Sequence, residues 1–207
     1  MSQHSNIFLI GPMGVGKSTI GRHLGQELGI PFYDSDREIE RVTGADIPWI
    51  FDVEGEQGFR LREERMIDTL SELDGIVLAT GGGAILSEKS RQRLSSRGTV
   101  VYLKASTARL HQRTAKDRNR PLLQTGNPRQ RIQQLMAVRD PLYRETAHVV
   151  IDTTRRSPRG VINDIIQSVK AHRAAVVADT RSPGTPTVKA TANPAANPTE
   201  SPGNENS

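Results

Sequence analysis

Cysteine is absent from the 207-residue chain, which excludes a disulfide framework, a thiol nucleophile and any cysteine-ligated zinc site. Aromatic side chains are scarce: one Trp, three Tyr and four Phe, all between Phe8 and Tyr143. A surface that stacks on single-stranded nucleic acid therefore has little to be built from. No apolar run approaches the ~18 residues that a membrane helix needs. The opening MSQHSNIFLIGPMG has neither a basic n-region nor a small-residue cleavage site, so no secretory leader is expected and the chain is expected to be cytoplasmic. Hydrophobic residues make up only 35% of the sequence. That is low for a packed domain, so part of the length is expected to stay outside the core.

What is present fits one domain, for which ~100–200 residues is the usual length. Basic residues outnumber acidic ones by 28 to 23, and the excess is uneven. Residues 109–173 hold fourteen Lys and Arg against five Asp and Glu. Such a stretch is either a solvated basic face or a set of arginines that closes on a multiply charged small anion. No zinc-finger, helix-turn-helix or RNP-type pattern accompanies it, so no nucleic-acid partner is expected.

The C-terminal end separates by composition. Residues 179–207 are dominated by Pro, Ala, Asn, Thr and Ser, with no aromatic. They cannot bury enough to offset chain entropy and read as a disordered tail. The folded unit is expected over residues 4–174. Within it short apolar runs at 6–10, 31–34, 75–80, 99–103 and 148–152 read as strands. Helical periodicity follows at 17–28, 36–43, 47–73 (broken near Gly55 and Gly58), 87–95, from Ser106 to Arg113, at 128–146 and from Ser157-Pro158 onward. Residues 116–127 have no periodicity and form a loop long enough to be a lid, with 114–127 as its extent. Alternating strands and helices imply an α/β fold: a parallel sheet covered on both faces.

Gly11-Pro-Met-Gly14-Val15-Gly16-Lys17-Ser18 matches G-x-x-x-x-G-K-[ST] between a strand and a helix. The glycines let successive amides turn inward as a nest for phosphate oxygens, and the following helix adds its N-terminal dipole. Lys17 is placed to reach the β- and γ-phosphates and the Ser18 hydroxyl to ligate Mg²⁺. A nucleoside triphosphate with Mg²⁺ is the expected pair of ligands. Thr19 stands where a dinucleotide fingerprint needs its third glycine. A guanine-reading N/T-K-x-D is missing, and the five histidines show no metal-ligand spacing.

An acceptor site is expected beyond the carboxyl ends of the strands. Asp34 and Asp36 follow the second strand. One of them could cap the next helix; otherwise one anchors a metal-bound water and the other meets an acceptor hydroxyl. Gly81-Gly82-Gly83 follows the third strand, as a tight turn or as a close backbone approach to a small polar ligand. Arg60 interrupts the segment EGEQGFRLREE, where an ion pair with Glu64 is the plain alternative to a ligand contact.

Taken in order, Gly-Pro-Met-Gly-Val-Gly-Lys-Ser-Thr19, Phe-Tyr-Asp34-Ser-Asp36, Gly55-Glu-Gln-Gly-Phe-Arg60, Ala-Thr-Gly-Gly-Gly83, Arg120-Pro-Leu-Leu and Arg139-Asp-Pro-Leu-Tyr-Arg144 resemble the shikimate kinase family over about residues 5–172. The resemblance implies a P-loop, nucleoside-monophosphate-kinase-like fold with a five-stranded parallel sheet, a substrate-binding region near 34–62 and a mobile lid. It implies ATP-dependent phosphorylation of the 3-hydroxyl of shikimate, a step of chorismate and aromatic amino-acid biosynthesis; separately, no apolar stripe in the sequence suggests more than a monomer. Position by position it implies that Asp36 contacts the reacting hydroxyl, and that Arg60, Gly82 and Arg139 hold shikimate. It gives Lys17 and Arg120 to the phosphates, Asp34 to Mg²⁺ through water, and Arg113, Arg156 and Pro158 to the flanks of adenine, with the backbone of residues 14–19 around the phosphates. Thr80-Gly81 stands where many P-loop enzymes carry an acidic residue, and the lid has extra basic residues before Arg120. Three rivals remain at this level: a kinase of the same fold for gluconate or a nucleoside monophosphate, an ATP-binding module without catalysis, and a nucleic-acid binder.

Overall fold

Five apolar runs become five parallel strands in the computed structural model, which describes residues 6–115 and 127–181. The strands are β1 (Ile7–Ile10), β2 (Phe32–Asp34), β3 (Val77–Ala79), β4 (Thr99–Lys104) and β5 (Val149–Asp152). Between and after them lie α1 (Lys17–Leu28), α2 (Ser35–Thr43), α3 (Ile47–Ser71), α4 (Glu88–Arg97), α5 (Thr107–Thr114), α6 (Pro128–Thr146) and α7 (Pro158–Arg181). A 3-10 turn, Ala84–Leu86, follows the triglycine segment. The sheet order is β2-β3-β1-β4-β5. Phe8 sits in register with Leu78 on one side and Val100 on the other, so β1 is central.

Both faces of the sheet are covered, which is why β1 and β3 are apolar without alternation. On one face Leu9, Val77 and Val101 pack with Ile20 and Leu24 of α1 and Val161 and Ile165 of α7. On the other, Phe8, Leu78 and Tyr102 pack with Ile67 of α3, Leu94 of α4 and Tyr143 of α6. A small separate cluster of Ile39, Ile50 and Phe59 joins α2 to α3. Helix ends follow local chemistry. Gly29 closes α1 in the left-handed region at φ 65°, and the Ser106 hydroxyl accepts from the Arg109 amide to start α5. Gly55, at φ 70° and ψ 177°, kinks α3 where the sequence predicts a break.

One boundary differs from expectation. The folded unit does not stop at 174, and the segment from 179 is not wholly tail: α7 continues to Arg181. Its last core residue is Val169, but the Ala-rich stretch 171–178 favours helix by itself and carries the helix outward. Arg173 ties that extension back, donating to the Asn6 carbonyl at 3.1 Å and the Thr99 hydroxyl at 3.2 Å. Most of the expected lid and the rest of the tail lie outside the described residues.

Candidate active site

β1 and β3 are neighbours, so the loops leaving their carboxyl ends, at 11–16 and 80–83, lie side by side. The first is the phosphate loop. Gly14 and Gly16 take φ of 75° and 103°, conformations that L side chains rarely adopt, and a side chain at Gly14 would meet the Thr114 methyl at 2.6 Å. The N-terminus of α1 carries no side-chain cap, so its first amides remain directed at the loop as an anion site. The Lys17 ammonium, 9% exposed, donates to the carbonyls of Gly11 at 2.7 Å and Pro12 at 2.9 Å. Arg113 of α5 clamps the loop from outside, its Nη1 donating to the Val15 carbonyl at 2.8 Å.

A cavity of about 400 Å³ opens over this loop. Residues 14–19 line it, with Asp34, Asp36 and Gly82 on the acceptor side and Arg113, Arg156 and Pro158 on the other. Every described residue expected to hold nucleotide or metal is therefore brought to one cavity. Arg156 is fixed there by an ion pair with Asp164 of α7. Arg120 lies outside the described residues. The fit to Mg²⁺ follows from the donor set. No cluster of three or more His, Asp or Glu that could hold a metal exists among the described residues. A hydroxyl (Ser18) and a carboxylate (Asp34) do line the phosphate cavity, which is the arrangement of an ion bound mainly by phosphate oxygens and water.

Asp34 and Asp36 divide their work. Asp34 caps α2, its Oδ1 accepting from the amides of Asp36 at 3.1 Å and Arg37 at 3.4 Å. Asp36, one residue into the helix, turns its Oδ1 inward, to within 2.6 Å of where a Cβ on Gly81 would stand. The glycines of the third-strand turn are needed for contact as well as for turning. A side chain at Gly81 would strike the carboxylates of Asp36 and Glu63, and one at Gly83 the guanidinium of Arg60. One at Gly82 would lie 3.3 Å from the Met13 amide in the phosphate loop. Ser35 anchors the turn from the other direction, its hydroxyl accepting from the Gly81 amide at 2.9 Å.

Arg60 and Arg139 stand on this turn. Arg139 of α6, 4% exposed, donates from Nη1 to the Gly82 carbonyl at 3.2 Å. Arg60 does not pair with Glu64, the plain alternative to a ligand contact. Its Nη1 meets Glu63 at 2.7 Å and its Nη2 meets Glu56 at 3.0 Å, while Glu64 turns to Ser87 and Lys89. At i+3, Glu63 lies on the inward side of α3 and Glu64 faces α4. Glu63 is 2% exposed. Burial holds its carboxyl above the usual range, and Arg60, Arg139 and Lys17 only partly offset this. Burial likewise lowers Arg139. Two guanidinium groups next to a glycine turn are chemistry suited to a small planar anion.

Three residues at the site were missed by sequence reasoning: Ser35, Glu63 and Tyr143. Ser35 hid between two aspartates, and nothing local sets its hydroxyl apart from any other helix-start serine. Glu63 hid in an acidic run where neighbouring positions look alike. Tyr143 was detectable, since it falls four residues after Arg139 on the same helix face.

A family model for shikimate kinase matches residues 13–170. The shikimate kinase of Chromohalobacter salexigens is 60% identical over 164 residues, covering 79% of this chain and 91% of that protein. That of Pseudomonas syringae pv. tomato is 60% identical over 161 residues, covering 78% and 94%. The structure of shikimate kinase from Acinetobacter baumannii in complex with shikimate superposes with a TM-score of 0.78 at 48% identity, covering 87% of this chain and 97% of that one. With a phosphate loop, an inward carboxylate and two arginines on one glycine turn, and with these relatives, the chain belongs to the shikimate kinase family.

Proposed function

We propose that the chain transfers the γ-phosphoryl group of ATP to the 3-hydroxyl of shikimate, yielding shikimate 3-phosphate and ADP, in the synthesis of chorismate and the aromatic amino acids. The observation that carries this reading is the adjacency of donor and acceptor groups. Asp36 shares the cavity of the phosphate loop, and the Gly81–Gly83 turn next to it bears Arg60 and Arg139.

In this reading the backbone of residues 14–19 and Lys17 hold the phosphates, with Arg113, Arg156 and Pro158 along the adenine. Ser18, and Asp34 through water, would hold Mg²⁺, which would offset the charge of the transferred phosphoryl group. Asp36 accepts the proton of the acceptor hydroxyl and aims its oxygen at phosphorus. Arg60 and Arg139 present N–H donors to the shikimate carboxylate, and the Gly82 backbone packs close to the ring. Arg120 is assigned to the transferred phosphate. Positioning and charge supply nearly all of the catalysis in phosphoryl transfer, and this set of groups offers both. We also propose that the enzyme acts as a cytoplasmic monomer without nucleic-acid or membrane partners. Part of the basic excess is used within the site.

ADP release, measured with ATP and Mg²⁺ against shikimate, gluconate, AMP and no acceptor, tests the assignment. Release that depends on shikimate is expected. Release with gluconate or AMP instead, or ATP binding without acceptor-dependent turnover, would overturn it.

A further inference from the structure

Tyr143 is 1% exposed and lies one helical turn beyond Arg139 on α6. Its hydroxyl donates to the Gly82 carbonyl at 2.6 Å, the same oxygen that accepts from Arg139 Nη1 at 3.2 Å. A carbonyl oxygen has two lone pairs, so these two donors from one helix face saturate it. The shorter bond belongs to the residue that carries no charge. On its other side, Gly82 approaches the Met13 amide so closely that a Cβ would lie 3.3 Å away. The turn is thus gripped between the phosphate loop and α6.

The ring of Tyr143 is itself held. It stacks on Tyr102 with centroids 4.9 Å apart and planes 22° from parallel. The Tyr102 hydroxyl donates to Asp140 Oδ1 at 2.6 Å, and Asp140 Oδ2 pairs with Arg144 Nε at 2.7 Å. Burial raises the pKa of Tyr143, so its hydroxyl stays a donor throughout the working range.

We infer that Tyr143 is a positioning residue for the acceptor site: its hydroxyl fixes the Gly82 carbonyl, so that Arg139 is not the only group holding that carbonyl and can direct its remaining N–H donors to the carboxylate of the acceptor. This rests on the reading that Arg139 and Gly82 bind shikimate. Without the hydroxyl, Arg139 alone holds the carbonyl. The turn and the guanidinium then settle together into a different placement, which weakens acceptor binding and leaves the nucleotide side, built on residues 14–19, unaltered.

The test is Tyr143→Phe, which removes one oxygen and keeps the ring stack, compared with Tyr102→Phe, which also removes a tyrosine hydroxyl bond but leaves Gly82 with both donors. One net hydrogen bond corresponds to ~3- to 10-fold. The KM for shikimate is expected to rise by about that factor in Tyr143→Phe, with kcat and the KM for ATP within about twofold of wild type. In Tyr102→Phe all three constants should match wild type, although its melting temperature falls as much. A shikimate KM unchanged in Tyr143→Phe, or raised equally in Tyr102→Phe, would overturn the inference and reduce Tyr143 to packing. A wild-type chain that turns over ATP with another acceptor would instead overturn the functional reading on which the inference stands.

Discussion

Gly83→Ala is the substitution that tests the placement of Arg60 most directly. The new methyl would stand inside the Arg60 guanidinium, with Nη2 only 2.6 Å away where ordinary contact begins at 3.4 Å. The atoms it meets are all in the Arg60 side chain, so the arginine must retreat by about 1 Å, a misplacement of a size that can cost about 10²-fold. Its bonds to Glu63 at 2.7 Å and Glu56 at 3.0 Å do not survive that retreat unchanged. Glu56 is half exposed and its arm contributes little. The Glu63 arm is charge-assisted and worth ~1.5–3 kcal/mol, and losing it leaves a buried carboxylate poorly matched. The expected result is a fall in kcat/KM for shikimate of ~10- to 100-fold, from loss of one arm on the carboxylate, with the KM for ATP unaffected. Steady-state kinetics coupled to ADP release measures both. The decisive control is a double-mutant cycle: in an Arg60→Ala background, Gly83→Ala should have almost no further effect on kcat/KM. An equal loss in both backgrounds would refute the reasoning, because the damage would then come from the turn and not from Arg60.

Three further outcomes are expected. Asp36→Asn removes the charge facing the acceptor and should lower kcat by ~10²-fold or more, while the melting temperature, followed by circular dichroism, changes little; a near-native kcat would remove Asp36 from its role. Glu63 has a carboxyl pKa raised chiefly by burial, so any stability it contributes is full below the unfolded carboxyl value of ~4.3 and is lost as pH climbs through the folded value. The melting temperature of Glu63→Gln should therefore gain on wild type between pH 4.5 and pH 8, and a gap that stays constant with pH would contradict that sign. A chain ended at Arg181 should melt and turn over like the full-length protein, since residues 182–207 offer little to bury; a large loss in either measurement would show that they dock.

Local chemistry accounts for most of what was legible. The phosphate loop could be read because its amide nest demands glycines at set spacing and a helix directly after them. The ends of α1 and α5 followed from Gly29 and Ser106, and the break in α3 from Gly55. The end of α7 was missed because composition marks where burial stops, whereas helix propensity over 171–178 continues past that point. The sequence could not tell which glutamate stands beside Arg60, because i+3 and i+4 are equivalent on paper, and only the packing of α3 decides which of Glu63 and Glu64 faces inward.

By itself, then, the sequence determined the alternation of strands and helices, the donor loop, and the residue types an acceptor anion would need. Each of these depends on neighbours within a few positions or on a spacing that chemistry dictates. Strand order had to come from the fold. By placing β3 directly beside β1, it brings Gly82 against the phosphate loop. The fold also determined that one carbonyl would serve both Arg139 and Tyr143, and that Asp36 and Glu63 would crowd Gly81 and Arg60 would crowd Gly83. These contacts join residues tens of positions apart. No local pattern encodes them, because burial and steric exclusion act only after the helices have packed on the sheet.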